Sequence, residues 1–327
     1  MKERITKVLC CPRCRSDLDL HEGARDEWDV VSGHLICNAC GADYAIEGCV
    51  PRFVSTRNYA ATFGCQWNRY RRTQLDSHSG LSVSQDRFFA ETGWRCDDLA
   101  DARVLDAGCG AGRFAEVALA CGAELFAVDY STAVDACWAN LSPHPTLHVI
   151  QADLRNLPFK AETFDLVYCL GVLQHLPDVR EGFMALAGQV RPGGRLVVDA
   201  YAKSVKNLLW GKYWIRPFTK RLPQDTLFRL VNVLVRYLLP LSRKLGRASR
   251  ISGKLRRLLP VANYEGIYSL SEDQIKEWSL LDTFDMLSPR YDRPQSAATL
   301  RGLFADAGFH QTEVFRREVW VGRGVKG

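Results

Sequence analysis

From about residue 101 to 202 the chain alternates short apolar runs with helical stretches, and this alternation limits the fold more than any other feature. "ARVLDAG" reads as a buried strand. "GRFAEVALACG" places Phe114, Val117, Ala118 and Cys121 on one helical face and stops at Gly122. "ELFAVD" is a second strand and "STAVDACWANL" a second helix. "LHVIQAD" and "FDLVYCLG" are the third and fourth strands. "VREGFMALAGQVRPGG" reads as a helix ended by Pro192 and the glycine pair, and "RLVVDAYA" as the fifth strand. Apolar strands joined by amphipathic helices predict an α/β fold with a mostly parallel sheet covered on both faces.

The strand ends carry a polar series. Asp106 ends the first strand, and Gly108, Gly110 and Gly112 form the turn that follows. Glycines there let a backbone turn sharply and approach a ligand. Asp129 ends the second strand, 17 residues after Gly112, where a carboxylate can accept from ribose hydroxyls. Asp153 ends the third, where it can accept from an exocyclic adenine amine with Leu154 flanking the ring. Taken singly, the glycine turn is a weak signal and each carboxylate could merely cap a helix. Together they mark the carboxyl edge of an open sheet, where ligands bind.

The run "VLDAGCGAGRF", "AVDYS", "QADLRNLPF", "FDLVYCLGVLQHLPD" and "VRPGGRLVV" resembles the class I S-adenosylmethionine-dependent methyltransferases. The resemblance implies a Rossmann-like sheet and S-adenosylmethionine as cofactor. It implies cofactor contacts by Asp106, Gly108, Gly110, Asp129, Tyr130, Asp153, Leu154 and Leu170, with Gly171 to His175 lining the methyl-donor site. A nicotinamide dehydrogenase would place the third glycine three residues after the second, whereas here the gap is two. The flanking "FGCQWNRYRRTQLDS" and "LLDTFDMLSPRYDRPQS" resemble bacterial methyltransferases of small-molecule, sugar or lipid-like acceptors. That likeness implies a lid formed by Gln66, Trp67 and Tyr70. The alternative for Trp67 and Tyr70 is ordinary packing.

Methyl transfer from a sulfonium needs in-line alignment, and a base only where the nucleophile must lose a proton. His175, in "GVLQHLPD", has the right intrinsic pKa for a base and equally suits a structural role in its loop. Tyr291 and Asp292, in "SPRYDRPQS", are candidates for acceptor contact, or else belong to a surface turn. Asp165 begins the fourth strand and reads as structural.

Ahead of this core, Cys11-x2-Cys14 and Cys37-x2-Cys40 are separated by 22 residues. Two such pairs make a four-thiolate tetrahedral zinc site, closed to catalysis. Cys10 competes as a ligand, but only Cys11 gives the two-residue gap. "GHLIC" and "ADYAIEGCVPRF" read as hairpin strands. The segment resembles the Trm112-like zinc ribbon, and about 55 residues have too little core without such a staple.

The formal charge is +6, yet Lys203 to Arg257 holds 15 Lys or Arg against one acid, Asp225. Within it, Leu227, Leu230, Leu234, Leu238 and Leu241 follow a helical period. Such an amphipathic insertion can cap the acceptor site, attract an anionic acceptor, or rest on an anionic membrane surface. A dimer contact through 203–259 is compatible with the first. Nucleic acid is disfavoured, because no recognised reading module accompanies the cations.

The organisation expected is therefore a zinc ribbon over 1–55, a connector or lid over 56–100, and a cofactor-binding core over 101–202. A basic helical insertion over 203–265 and a carboxyl-terminal part over 266–327 complete it. Twelve cysteines without a visible secretion signal suggest a reducing compartment, hence a cytoplasmic protein, on the membrane's inner face if the insertion binds lipid. The function expected is methyl transfer to oxygen, with nitrogen as the alternative, on a small metabolite, sugar or lipid-linked acceptor. An RNA or protein methyltransferase and a non-catalytic binding protein are the competing readings.

Overall fold

The computed structural model describes residues 1–203, 211–248 and 256–327. The parts of the basic segment at 204–210 and 249–255 lie outside the described residues.

An antiparallel sheet of four strands opens the chain: β1 (Leu18–Arg25), β2 (Val30–Cys37), β3 (Asp43–Glu47) and β4 (Val50–Pro51), in that spatial order. Alternate residues of β3 are buried, as expected for a strand with one covered face. The connector then forms α1 (Ala61–Arg69), α2 (Asp76–Ser79), α3 (Val83–Thr92) and α4 (Cys96–Leu99).

The core sheet holds β5 (Arg103–Ala107), β6 (Glu124–Asp129), β7 (Leu147–Gln151), β8 (Phe164–Cys169) and β9 (Val190–Ala200). Helices α5 (Arg113–Ala120), α6 (Ala133–Leu141) and α7 (Val179–Ala187) lie between strands. After the basic helices α8 (Gly211–Thr219) and α9 (Gln224–Ala248) come α10 (Glu272–Leu287), α11 (Ala297–Asp306), β10 (Phe309–Arg316) and β11 (Trp320–Lys326). The sheet order is β10-β11-β9-β8-β5-β6-β7. The five core strands are parallel, β11 adds antiparallel to β9, and β10 pairs antiparallel with β11 at the edge. This Rossmann-like α/β sheet is the architecture expected from the apolar alternation.

Three local expectations need correction. Helix α7 stops at Ala187, and β9 begins at Val190 and runs through Pro192 and the glycine pair. Gly188 follows the helix, and β9 pairs with β8 from Val190 onward with one irregularity, so Pro192 sits within a strand. On α9 the buried stripe is Leu227, Phe228, Val231, Val235 and Leu239, whereas Leu241 is exposed. Leu230, Leu234 and Leu238 are half-buried and pack against this stripe, so the leucines border the core face and only Leu241 leaves it. Cys96 and Cys121 form a disulfide between α4 and the end of α5, which departs from the reducing compartment suggested by the cysteine count.

The ribbon docks on the open edge of the core sheet. Leu9 bridges to Phe159 and Arg52 to Gln151 at the end of β7. The Cys10 amide donates to the Pro158 carbonyl at 2.9 Å, and the Lys160 amide to the Val8 carbonyl at 2.9 Å. The Arg15 guanidinium reaches the Leu157 carbonyl at 2.8 Å and also that of Phe159. Leu9 and Phe159 are both fully buried, so ribbon and core share one hydrophobic cluster.

The four sulfurs of Cys11, Cys14, Cys37 and Cys40 lie within 4.8 Å of one another. A tetrahedron with zinc–sulfur bonds of about 2.3 Å has edges of roughly 3.8 Å. The observed Cys11–Cys40 and Cys14–Cys37 separations of 3.7 and 3.3 Å are close to that edge. Cys10 is not part of the cluster. The Tyr44 hydroxyl lies 3.2 Å from the Cys11 sulfur, positioned to donate to a thiolate.

Cys37→Ser is expected to remove the metal and lower the melting temperature, because metal binding and ribbon folding are one equilibrium. Elemental analysis with calorimetric melting checks this. Retained zinc with an unchanged melting curve would contradict the four-thiolate assignment.

Candidate functional site

A cavity of about 950 Å³ opens at the carboxyl edge of the core strands, roofed by the connector, α8 and α10. It is at the upper end of the usual range for small-molecule sites, roughly 300–1,000 Å³. The glycine turn forms its floor. Gly108 has φ of 98°, and a Cβ there would lie 2.3 Å from the Val172 side chain. Gly110 has φ of 52°, and its amide donates to Asp129 Oδ2 at 3.0 Å. Asp129 Oδ1 accepts from the Ser131 amide at 2.8 Å and from its hydroxyl at 2.7 Å. Burial pushes the Asp129 carboxyl up from its ordinary pKa, against the pull of these hydrogen bonds. With one protein donor on Oδ2, this carboxylate retains capacity for a further donor.

The loop after β8 forms the adjoining wall. Asp199, near the end of β9, accepts from the Gly171 amide at 2.5 Å and from Arg87 of α3 at 2.6 Å. Arg87 also holds Glu91 at 2.9 Å. One buried carboxylate thus fixes both the loop and the connector. His175 closes the short 3₁₀ turn Leu173–His175. Its Nδ1 lies 3.0 Å from the Tyr291 carbonyl, which can only accept, so Nδ1 carries the proton and Nε2 is an acceptor. The ring stands against Phe63 and Tyr201, with centroids 5.2 and 5.6 Å away. Burial lowers the His175 pKa, with Asp285 opposing, which favours the neutral imidazole near pH 7.

A further polar group lines the far side. Arg113 donates to Gln74 at 2.6 Å, and Gln74 donates to Asp282 of α10 at 3.2 Å. The Tyr264 hydroxyl also donates to Asp282. Burial, then Asp285, raises the Asp282 pKa to about 7. Lys212, at the start of α8, sets its ammonium 5.2 Å from the Tyr201 ring centre and 5.0 Å from that of Tyr213. Burial lowers its pKa.

Of the residues singled out from sequence, Trp67, Gly108, Gly110, Asp129, Tyr130, Leu154, Leu170 and His175 line this one cavity. Five others do not. Asp106 is buried beneath the glycine turn opposite Tyr168 of β8, where burial raises its pKa to about 8. Asp153 is engaged by Arg155, which reaches both carboxylate oxygens at 3.1 and 2.7 Å. Gln66 is buried against Asp285, to which it donates at 3.3 Å. Asp292 pairs with Arg216 behind the cavity wall, and Tyr291 serves through its carbonyl, which accepts from both His175 and Arg216. The sequence reading did not single out Lys212, Tyr201 or Arg113 as site residues. Lys212 is one cation among 15 in its segment, so only the fold distinguishes it.

Residues 105–198 match the methyltransferase domain family model, and residues 2–48 match the Trm112p-like protein model. The core thus carries a class I methyltransferase domain, preceded by a Trm112-like zinc-binding module. The chain is 34% identical over 126 residues to a demethylmenaquinone methyltransferase of Corynebacterium urealyticum, covering 38% of this chain and 53% of that protein. It is 30% identical over 134 residues to a ubiquinone biosynthesis O-methyltransferase of Pseudomonas putida, covering 39% and 56%. It thus spans about half the length of the curated relatives it matches. Among solved structures, a Synechocystis magnesium protoporphyrin IX methyltransferase with bound SAH aligns over 83% of this chain and 98% of its own. Identity there is 18% and the TM-score is 0.45.

The methyltransferase domain has the S-adenosylmethionine-binding fold, and the residues lining its cavity fit that cofactor. It offers a carboxylate with spare acceptor capacity at the β6 end, beside a glycine turn. Gly171 faces open space, with no atom within 4 Å of where a Cβ would stand.

Asp129→Ala is expected to weaken S-adenosylhomocysteine binding by more than about tenfold, since a charged acceptor is worth roughly 1.5–3 kcal/mol per hydrogen bond. Isothermal titration checks it, and unchanged affinity would refute the role. Gly108→Ala is expected to abolish binding in a protein that still folds, because Val172 must move into the cavity to make room. Wild-type affinity in that variant would show that the turn does not shape the site.

Proposed function

We propose that the chain transfers a methyl group from S-adenosylmethionine to an oxygen of a small acceptor with a flat, ring-like apolar body. The observation that carries this reading is His175. Its proton is held on Nδ1 by the Tyr291 carbonyl, and its bare Nε2 shares a cavity with the glycine turn and Asp129.

S-Adenosylmethionine, when bound, supplies a methyl group already activated on sulfur. Asp129 would hold the ribose hydroxyls, and Tyr130 and Leu154 would offer surface to the adenine. The glycine turn and Gly171 leave room for the methionine part. On the acceptor side, His175 Nε2 takes the proton of the attacking hydroxyl. Its lowered pKa keeps that atom available at neutral pH. Phe63, Tyr201 and Tyr213 give the acceptor aromatic surface, and Lys212 supplies a cation for an anionic oxygen on it. The ring-shaped acceptor agrees with the quinone-related names of the two curated relatives. The zinc ribbon contributes structure rather than chemistry, since four thiolates leave no open position on the metal. A cytoplasmic location, where reducing conditions keep four thiolates available for zinc, would also open the Cys96–Cys121 bridge.

The test uses labelled S-adenosylmethionine and a panel of catechols and hydroxybenzoates. Transfer is expected to at least one of them, and His175→Ala should lower turnover more than about tenfold. The wild-type rate should rise with pH through an apparent pKa below the usual histidine value of about 6.5 and then level, since only neutral imidazole accepts the proton. Loss of that acid limb in the variant supports the base role. An unchanged profile and rate would remove it. Absence of any S-adenosylhomocysteine binding would sink the whole reading.

A further inference from the structure

We propose that the outer faces of α8 and α9 rest on an anionic lipid surface. Large apolar side chains are exposed there. Trp214 and Phe218, one turn apart on α8, are 58% and 72% exposed. Val233, Tyr237 and Leu241 succeed one another at four-residue steps on α9 and are 53%, 65% and 43% exposed. Arg229, Arg236 and Lys244 are exposed on the same face of α9, interleaved with these residues. Arg229, Arg236 and Lys244, like Lys220 and Arg221 between the helices, have no carboxylate partner among the described residues. Arg243 and Arg247 do, in Glu272 and Glu265.

The opposite face of α9 is satisfied. Leu227, Phe228, Val231, Val235 and Leu239 are buried in a cluster with Phe284 and Leu287 of α10. The exposed face is therefore not a core face missing its partner within the fold. Between Gly211 and Ala248 there are nine Lys or Arg and one acid, Asp225. Cations alternating with aromatic and aliphatic side chains suit a membrane interface, where the apolar groups enter the acyl boundary and the cations meet anionic headgroups. A two-fold contact between copies would set this cationic face against itself, which like-charge repulsion opposes. Among the described residues no helix is long and apolar enough to cross a membrane, so the contact is peripheral.

Helix α8 links this surface to the site. Lys212 and Tyr213 line the cavity, while Trp214 and Phe218 point away from the core. An acceptor dissolved in the lipid would meet the protein at the helix that walls its cavity. The docking itself does not depend on the methyl-transfer reading.

Co-sedimentation of the full chain with vesicles tests it. The protein is expected to bind phosphatidylcholine vesicles containing about one quarter phosphatidylglycerol at low salt. Affinity should be at least tenfold lower for phosphatidylcholine alone, and should fall steeply in high salt. Tyr237→Ser with Leu241→Ser, and separately Trp214→Ser with Phe218→Ser, should each cost more than about fivefold. The first pair should retain wild-type melting and S-adenosylhomocysteine affinity, which separates lost docking from lost folding or a failed cofactor assignment. No binding to the anionic vesicles would overturn the proposal. So would binding that ignores both apolar substitutions, tighter binding to polyuridylate than to the vesicles, or a dimer in sedimentation velocity that Tyr237→Ser with Leu241→Ser dissociates.

Discussion

The contact between the Asp129 carboxylate and the Gly110 amide organises the site. It joins the ends of the first two core strands, so the glycine turn and the Asp129 carboxylate take their positions together. Ser131 occupies the other carboxylate oxygen through two hydrogen bonds and fixes its orientation at the start of the loop into α6. The rest of the cavity is built outward from that corner. Trp67 packs against Gly110 from the connector, and Val172 against Gly108 from the β8 loop. The β8 loop is tied by Asp199 to Arg87 and so back to the connector. Three segments distant in sequence are thus held to one another by buried carboxylates and by close packing over glycines. Ion pairs of this kind position groups more dependably than they stabilise a fold.

The zinc ribbon has a comparable positioning role at the other end of the sheet. An unpaired edge strand exposes backbone groups to unwanted pairing. Here β7 is the edge, and the ribbon covers it through Arg52 and Phe53 at Gln151. Gln151 accepts from Arg52 at 2.8 Å and donates to the Tyr130 carbonyl at 3.2 Å. Asn58 donates to that same carbonyl at 2.8 Å. The ribbon therefore reaches the Tyr130 side of the cavity in two steps, through hydrogen bonds alone. Holding four thiolates on a metal gives a small sheet the rigidity to pin that edge.

The sequence made the sheet legible because buried parallel strands are short, apolar and bounded by turns. β6 has the limits expected for it, and β5, β7 and β8 fall within theirs. The metal ligands were legible because two close pairs leave few other uses for four cysteines. Cavity-lining residues were legible where they end a strand or follow it within a few residues, as Gly108, Asp129 and His175 do. Asp106 and Asp153 share that position, but burial under the turn removes the first from the cavity, and Arg155 engages the second. Sequence position at a strand end does not say which way a side chain faces. Contributions from the carboxyl-terminal third were harder to see. Lys212 and Asp282 enter the cavity because helices α8 and α10 fold back over the sheet edge, and no local pattern encodes that return. The exposed stripe of α9 was hidden for a related reason. Leucines and valines occur on both faces, and only packing against α10 decides which face is the inner one.

A crystal structure of the full chain with S-adenosylhomocysteine tests the central claim most directly. The account predicts both ribose hydroxyls on the Asp129 carboxylate, the ring between Tyr130 and Leu154, and the sulfur on the same side as His175. Density for the ligand away from the Asp129–Gly110 corner, or a cavity that stays empty at saturating ligand, would contradict it.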